Sequence, residues 1–270
     1  MLAQDIKKEK QMKKSVLVML MGMVCSMMAA GGSFAGEGYP LRAKYPKARY
    51  ISTEELKKEY ARAVIVDVRS KLEFDVIHIA KAVHVPVAQK TFDKEVKELR
   101  SGNEVAPIVF YCNGHACEKS YEAAEQATGF GIKNAMVYDA GIHDWVGANP
   151  EKTTLMGETP ALKSRLIPAE RLKKHKIKYA EFSKKANEAD AICIDVREPF
   201  QRKEIPKLPR LRNIPSDRLV QLLAGNEFKG KTLLLTDAVG KQVEWIQYFL
   251  EKYGIKNYYF LENGVLSAKD

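Results

Sequence analysis

The chain has 270 residues, 46% hydrophobic and 29% charged, with a formal net charge of +10. That length fits one large domain or two ordinary ones, and the composition is that of a soluble globular protein rather than a disordered one. Without the first 35 residues the excess falls to +7, spread over lysine-rich stretches such as Arg171-Leu-Lys-Lys-His-Lys that lack interleaved aromatics, so nucleic acid is not expected as a partner.

In chain order, Lys13-Lys14 precede an apolar run from Ser15 to Ala30, and Gly-Gly-Ser-Phe-Ala35 follows. A basic start, an apolar centre and small residues at Ser33 and Ala35 predict a signal peptide over residues 1–35. The run is short for a membrane span. The expectation is therefore export, to a bacterial periplasm, with no stable membrane insertion after cleavage.

Ser52-Thr-Glu-Glu55 predicts a capping box opening a helix that runs to Ala63, and a strand then runs to Asp67. Next come Val85-Pro-Val, a helix near Phe92–Arg100 and a strand from Pro107 to Tyr111. Cys112 ends that strand, and a helix beginning near Ser120 runs to Gly129. A strand to Tyr138 and a short helix around Trp145 complete the first half.

Landmarks then return. Val64-Ile-Val-Asp-Val-Arg69 reappears as Ile192-Cys-Ile-Asp-Val-Arg197, and Gly131-Ile-Lys-Asn as Gly254-Ile-Lys-Asn, each followed by a strand and an acidic-x-Gly turn. The second half has matching elements at Ile192–Asp195, Lys231–Thr236, Lys241–Tyr253 and Tyr258–Leu261. This predicts two related domains, residues 36–150 and 169–270, joined by a linker over 151–168 that contains Gly157, Pro160 and Pro168. Alternating strands and helices imply parallel sheets covered on both faces, with function at the carboxyl edge of the strands.

The chemistry concentrates in Tyr111-Cys-Asn-Gly-His-Ala-Cys-Glu-Lys-Ser120. A thiol at the end of a buried strand, just before a helix N-terminus, faces unpaired backbone N–H groups. Those groups and the helix dipole favour a thiolate and the anions beside it. Cys112 is thus expected to be the ionised thiol, with Asn113, Gly114, His115, Ala116, Glu118, Lys119 and Ser120 forming the loop around it. Ser120 caps or begins the helix, and Asp67 and Arg69 buttress the loop or touch substrate. Cys193 reads as a small buried hydrophobe within its strand, His78 and His84 as packing or turn residues, and Trp145 and Trp245 as sheet-packing aromatics. The scattered histidines predict no metal site.

Asp67-Val-Arg69, Glu73…His78-Ile-Ala-Lys-Ala, Tyr111-Cys112 before a glycine-bearing loop, and Asp139-Ala-Gly141…Trp145 together resemble a rhodanese domain. With the second half, the chain resembles a tandem-domain rhodanese sulfurtransferase over most of residues 45–265. The resemblance implies two rhodanese-like α/β domains, each a parallel five-stranded sheet with helices on both faces, and no cofactor. It implies that Cys112 takes sulfane sulfur from thiosulfate or a similar donor as a persulfide and passes it to cyanide or a thiol. Two features depart from the pattern. Asp237 stands at the end of the second half's strand, where a nucleophile would sit, so that half is expected to be inactive. The first loop is also two residues longer than the second and contains Cys117.

Cys117 has two readings: a spectator or locally disulfide-bonded thiol, or a resolving cysteine that attacks a Cys112 persulfide. The competing functions are a thiol–disulfide oxidoreductase and a noncatalytic sulfur carrier, each using Cys112 and Cys117. A phosphatase reading lacks an arginine between Cys112 and Lys119 to grip a phosphoryl group.

Overall fold

The computed structural model describes residues 38–102 and 104–267. The expected signal peptide, residues 1–35, lies outside them. The chain divides into two units, Met1–Lys44 and Tyr45–Asp270. Of the first, the described residues form turns, with Arg42 stacked over the Tyr39 ring. Among the described residues no helix is long and apolar enough to cross a membrane.

The unit Tyr45–Asp270 holds two parallel sheets. In its first half, α1 (Thr53–Glu59) begins at a capping box in which the Ser52 hydroxyl accepts from the Glu55 N–H and the Glu55 carboxylate accepts from the Ser52 N–H. Then follow β1 (Val64–Asp67), α2 (Lys71–Val76), β2 (Ile77–Ile79), β3 (Val83–His84) and α3 (Phe92–Arg100). After them come β4 (Ile108–Tyr111), α4 (Lys119–Gly129), β5 (Ala135–Tyr138) and α5 (Gly141–Ala148). The strand order is β3-β1-β4-β5, all parallel. All four residues of β4 are fully buried, as a central strand covered on both faces requires.

The sheet expected to have five strands has four. At the fifth place, beside β5, there is one bridge between Tyr50 and Val137. On that edge the backbone bonds β5 through Arg49 and Ile51, and Ser52 at once turns the chain into α1.

The stretch expected as linker opens with β6 (Thr153–Leu155), which pairs antiparallel with β2. Beyond it lie α6 (Ala169–His175), β7 (Lys176–Ile177), α7 (Tyr179–Ala186), β8 (Ala191–Asp195), β9 (Arg212–Asn213) and α8 (Ser216–Ala224). The chain ends with β10 (Thr232–Thr236), α9 (Gln242–Lys252) and β11 (Tyr258–Leu261). The second sheet has five strands in the order β7-β11-β10-β8-β9.

Backbone contacts at the carboxyl edges of the two sheets correspond. The Val68 N–H donates to the Tyr111 carbonyl, and the Val196 N–H to that of Thr236. The Ile142 N–H donates to the Cys112 carbonyl, and the Val265 N–H to that of Asp237. Cys112 and Asp237 thus hold the same backbone position in their sheets. The two halves meet where α2 packs against α8 and α9.

Candidate active site

The loop after β4 is held from below by a buried ion pair. Asp67 ends β1 and Arg69 follows two residues later, with Arg69 Nη2 2.6 Å from Asp67 Oδ2 and neither side chain exposed. Arg69 also donates to the Ile77 carbonyl at 2.5 Å and to Asn113 Oδ1 at 3.0 Å. Asn113 in turn donates to Glu73 Oε1 at 2.7 Å. Glu73 belongs to a second capping box, built on Ser70, that starts α2. Burial alone would raise the Glu73 pKa, but Lys119 at 3.8 Å, Arg69 and the Asn113 and Ser70 hydrogen bonds bring it below the ordinary carboxylate range. Asp67 thus anchors Arg69, which reaches the loop through Asn113.

Two glycines let the loop close. Gly141 has φ +68°, and a Cβ there would lie 2.4 Å from the Gly114 nitrogen. Only a residue without a side chain allows that approach. Gly114 itself has φ +144°, and the Cys117 N–H donates to its carbonyl at 2.7 Å. This turn brings Cys117 back toward Cys112.

The two thiols sit in opposite environments. Cys112 is fully buried, with its sulfur 3.2 Å from the Cys117 carbonyl oxygen and 3.4 Å from Ser120 Oγ. Burial, together with its hydrogen bond and proximity to Cys117, pushes its pKa well above the ordinary thiol value; the Ser120 hydroxyl and N–H offset only part of this. Cys117 is half-buried. Its pKa falls to about 6, first because the Cys112 thiol hydrogen-bonds its sulfur. Burial opposes the fall, while the Asn113 and Lys119 backbone N–H groups and the Lys119 charge add to it. Cys112, expected as the ionised thiol, is sealed from the cleft with its pKa raised, whereas the lowered pKa falls on Cys117. The reason is loop length. The two extra residues carry the chain past the strand end, so that a later sulfur meets the N–H groups at the start of α4.

The remaining loop residues have plain positions. Ser120 is the second residue of α4 rather than its cap, and its hydroxyl turns inward to Cys112. Glu118 stands at the N-cap position and accepts a hydrogen bond from the Tyr45 hydroxyl. His115 meets Asp144 at 3.0 Å on the surface, and Ala116 is exposed. His78 hydrogen-bonds the Phe74 carbonyl and stacks on its ring, and His84 hydrogen-bonds the Arg69 carbonyl. Cys193 lies buried in β8, where burial lifts its pKa to about 11.

Cys117 opens on a cleft of about 830 Å³ lined by both halves. Gly114–Cys117 and Lys119 form one side, and Asp237–Val239, Lys241 and Trp245 the other. Trp145 packs in the core as expected, but Trp245 does not pack on its sheet. It lies half-buried in the cleft wall, 5.6 Å from the Arg69 guanidinium carbon and stacked with His143, because α9 turns that face toward α2. Sequence reasoning missed this role, since nothing local to Trp245 marks a contact with the other half.

Asp237 fills the corresponding position in the second half. Its Oδ1 accepts from the Val239 N–H at 3.0 Å and from the Gly240 N–H; its Oδ2 accepts from Gln242 and Val243 at 2.5 and 3.1 Å. A carboxylate occupies the nest of N–H groups that would otherwise receive an anion.

The Rhodanese-like domain family matches residues 52–148, a span that includes Asp67, Arg69, the whole Cys112–Ser120 loop and Gly141. The thiosulfate:glutathione sulfurtransferase of Saccharomyces cerevisiae is 26% identical over 107 residues, 36% of this chain and 75% of that protein. Among solved structures, the thiosulfate sulfurtransferase of Pseudomonas aeruginosa is 20% identical with a TM-score of 0.37. That match covers 81% of this chain and 41% of the other, so this chain spans well under half its length. The human single-domain sulfurtransferase is 24% identical with a TM-score of 0.31, covering 37% of this chain and 97% of that one. The loop on its buried ion pair lies wholly within that family match, which identifies residues 52–148 as a rhodanese-like domain.

Proposed function

We propose that this protein is a sulfurtransferase that carries sulfane sulfur as a persulfide on Cys117. The observation that carries the reading is that Cys117, cradled by backbone N–H groups, borders the cleft while Cys112 is buried behind it. A thiolate at neutral pH is both the attacking form and a good leaving group.

The Cys117 thiolate attacks the outer sulfur of thiosulfate or a similar donor. A Cys117–sulfur bond forms, the donor's S–S bond breaks, and sulfite leaves with the electron pair. A thiol or cyanide in the cleft then attacks the outer sulfur of the persulfide, and Cys117 departs as the thiolate. The Asn113 and Lys119 N–H groups receive its charge in both steps, so no metal or other cofactor is required. The cleft is far larger than thiosulfate and suits a peptide-sized thiol acceptor. The yeast relative's name pairs thiosulfate with glutathione, which supports the same donor and acceptor classes here.

The second half, on this proposal, is a diverged copy without a thiol at its strand end. Its role is to wall the cleft. The sequence pattern of residues 1–35 supports export, and the periplasm is the proposed location.

The test is thiocyanate formation from thiosulfate and cyanide. Wild type is expected to be active, Cys117→Ser to fall to background, and Cys112→Ser to retain turnover at a reduced rate. Activity that survives Cys117→Ser and vanishes in Cys112→Ser would return the carrier to position 112.

A further inference from the structure

Cys112 and Cys117 form a layered pair. Cys117 borders the cleft, whereas Cys112 is fully buried behind it and does not line the cleft. The turn through Gly114 holds the Cys112 sulfur 3.2 Å from the Cys117 carbonyl, with both thiols free. Because Cys117 lines the cleft, a sulfur atom added to it has the cleft to extend into. Cys112 lies on the buried side of the loop, in contact with the Cys117 carbonyl and hydrogen-bonded to its side chain, within reach of the Cys117 sulfur.

We propose that Cys112 discharges the Cys117 persulfide from behind, releasing hydrosulfide into the cleft and leaving a Cys112–Cys117 disulfide. The inference rests on the reading of Cys117 as sulfur carrier and adds a second outcome for the loaded sulfur. The bond that forms joins the two cysteine sulfurs, and the bond that breaks joins Cys117 to the outer sulfur, which takes the electron pair. The Cys112 proton goes to that departing sulfur, so the step is persulfide plus thiol giving disulfide plus hydrosulfide. The sulfane sulfur is reduced and the cysteine pair oxidised. An external dithiol then reduces the disulfide and restores both thiols. Over a full cycle thiosulfate and a dithiol yield sulfite, sulfide and the oxidised dithiol.

The Ser120 hydroxyl, 3.4 Å from the Cys112 sulfur, supports the thiolate that must form there. Because Cys112 is the weaker acid, discharge quickens as pH rises, while loading of Cys117 has already levelled off. Small acceptors in the cleft compete with discharge, and in their absence the internal thiol wins.

The experiment uses the full reduced chain, freed of reductant and given one equivalent of thiosulfate without acceptor. Sulfide is trapped and peptides are mapped by mass. Wild type is expected to release about one sulfide per chain and to yield a linked Cys112–Cys117 peptide lighter by two hydrogens. Cys112→Ser and Cys112→Ala are expected to release none and to keep one added sulfur on the Cys117 peptide. A wild-type chain that holds a stable persulfide on Cys117 and releases no sulfide overturns the inference while leaving the carrier reading intact. No added sulfur on Cys117 in either Cys112 variant overturns the carrier reading itself.

Discussion

The Cys117 sulfur and the Asp237 carboxylate draw on the same backbone group in their respective halves. The N–H of Lys119, first residue of α4, donates to the sulfur, and the N–H of Gln242, first residue of α9, donates to the carboxylate. Asp237 reaches its cradle from the strand end, the position of Cys112, whereas Cys117 reaches its own from inside a longer loop. One half holds a fixed carboxylate, and the other holds the thiol proposed to carry sulfur. The unused strand-end position in the first half is what leaves Cys112 buried beneath.

That arrangement predicts a split in thiol reactivity. Alkylation of Cys117 by iodoacetamide should rise about tenfold per pH unit below about 6 and level off above it, as its thiolate fills. Cys112 should stay unmodified in the folded chain. Replacing Cys112 with alanine removes the largest cause of the lowered pKa, so the Cys117 midpoint should move up toward the ordinary thiol range. Peptide-resolved mass spectrometry across pH measures both, and a Cys112 that alkylates first would contradict the assignment.

Asp237→Ala should destabilise the fold by about 2–4 kcal/mol, since backbone donors around a buried carboxylate lose their partner together. Sulfate should recover part of that loss by entering the emptied cradle, as a ligand that binds only the folded state does. Urea unfolding with and without sulfate, against a sodium chloride control of equal ionic strength, reads both effects. A variant as stable as wild type would mean the carboxylate is not holding the loop.

Much of this layout was legible in the residues, because the parts set by local chemistry leave local marks. The apolar runs placed β1, β4, β5, β8, β10 and β11, and Ser52-Thr-Glu-Glu55 marked the start of α1. Ser70-Lys-Leu-Glu73 carries the same capping signal for α2 and was there to be read. The different surroundings of Cys112 and Cys117 were not legible in the same way. They depend on how far two extra loop residues carry the chain before α4 begins, and on Gly114 and Gly141 meeting across the loop, which are distances in space. The one usable clue was the spacing to the helix: Cys117 precedes Lys119 by two residues, close enough for its N–H to reach the sulfur. Contacts such as Asn113 with Glu73, or Trp245 with Arg69, join distant segments and leave no periodic trace.

The Asp67–Arg69 pair should matter to both stability and sulfur transfer, by different routes. Asp67→Asn leaves a guanidinium buried without its counter-charge and should cost about 3–5 kcal/mol in chemical unfolding. Arg69→Lys keeps the charge but lacks the fork that reaches Asp67, Ile77 and Asn113 at once. Losing the Asn113 contact should loosen the cradle and raise the Cys117 alkylation midpoint while the fold persists. A midpoint identical to wild type in Arg69→Lys would show that the loop does not depend on this support.

Trp245 tests what the second half contributes. Its ring faces Arg69 on one side of the cleft while its backbone belongs to α9, so it is a part of the first half's site supplied from elsewhere in the chain. Thiosulfate needs only the cradle and Lys119, both within the first half, so its loading of Cys117 should hardly change in Trp245→Ala. A peptide-sized thiol must rest against the wall, and its KM should rise several-fold in the same variant. Measuring sulfite release for the first step and acceptor dependence for the second separates the two. An equal loss in both would place Trp245 in support of the loop, through Arg69, and leave acceptor binding to other residues of the cleft.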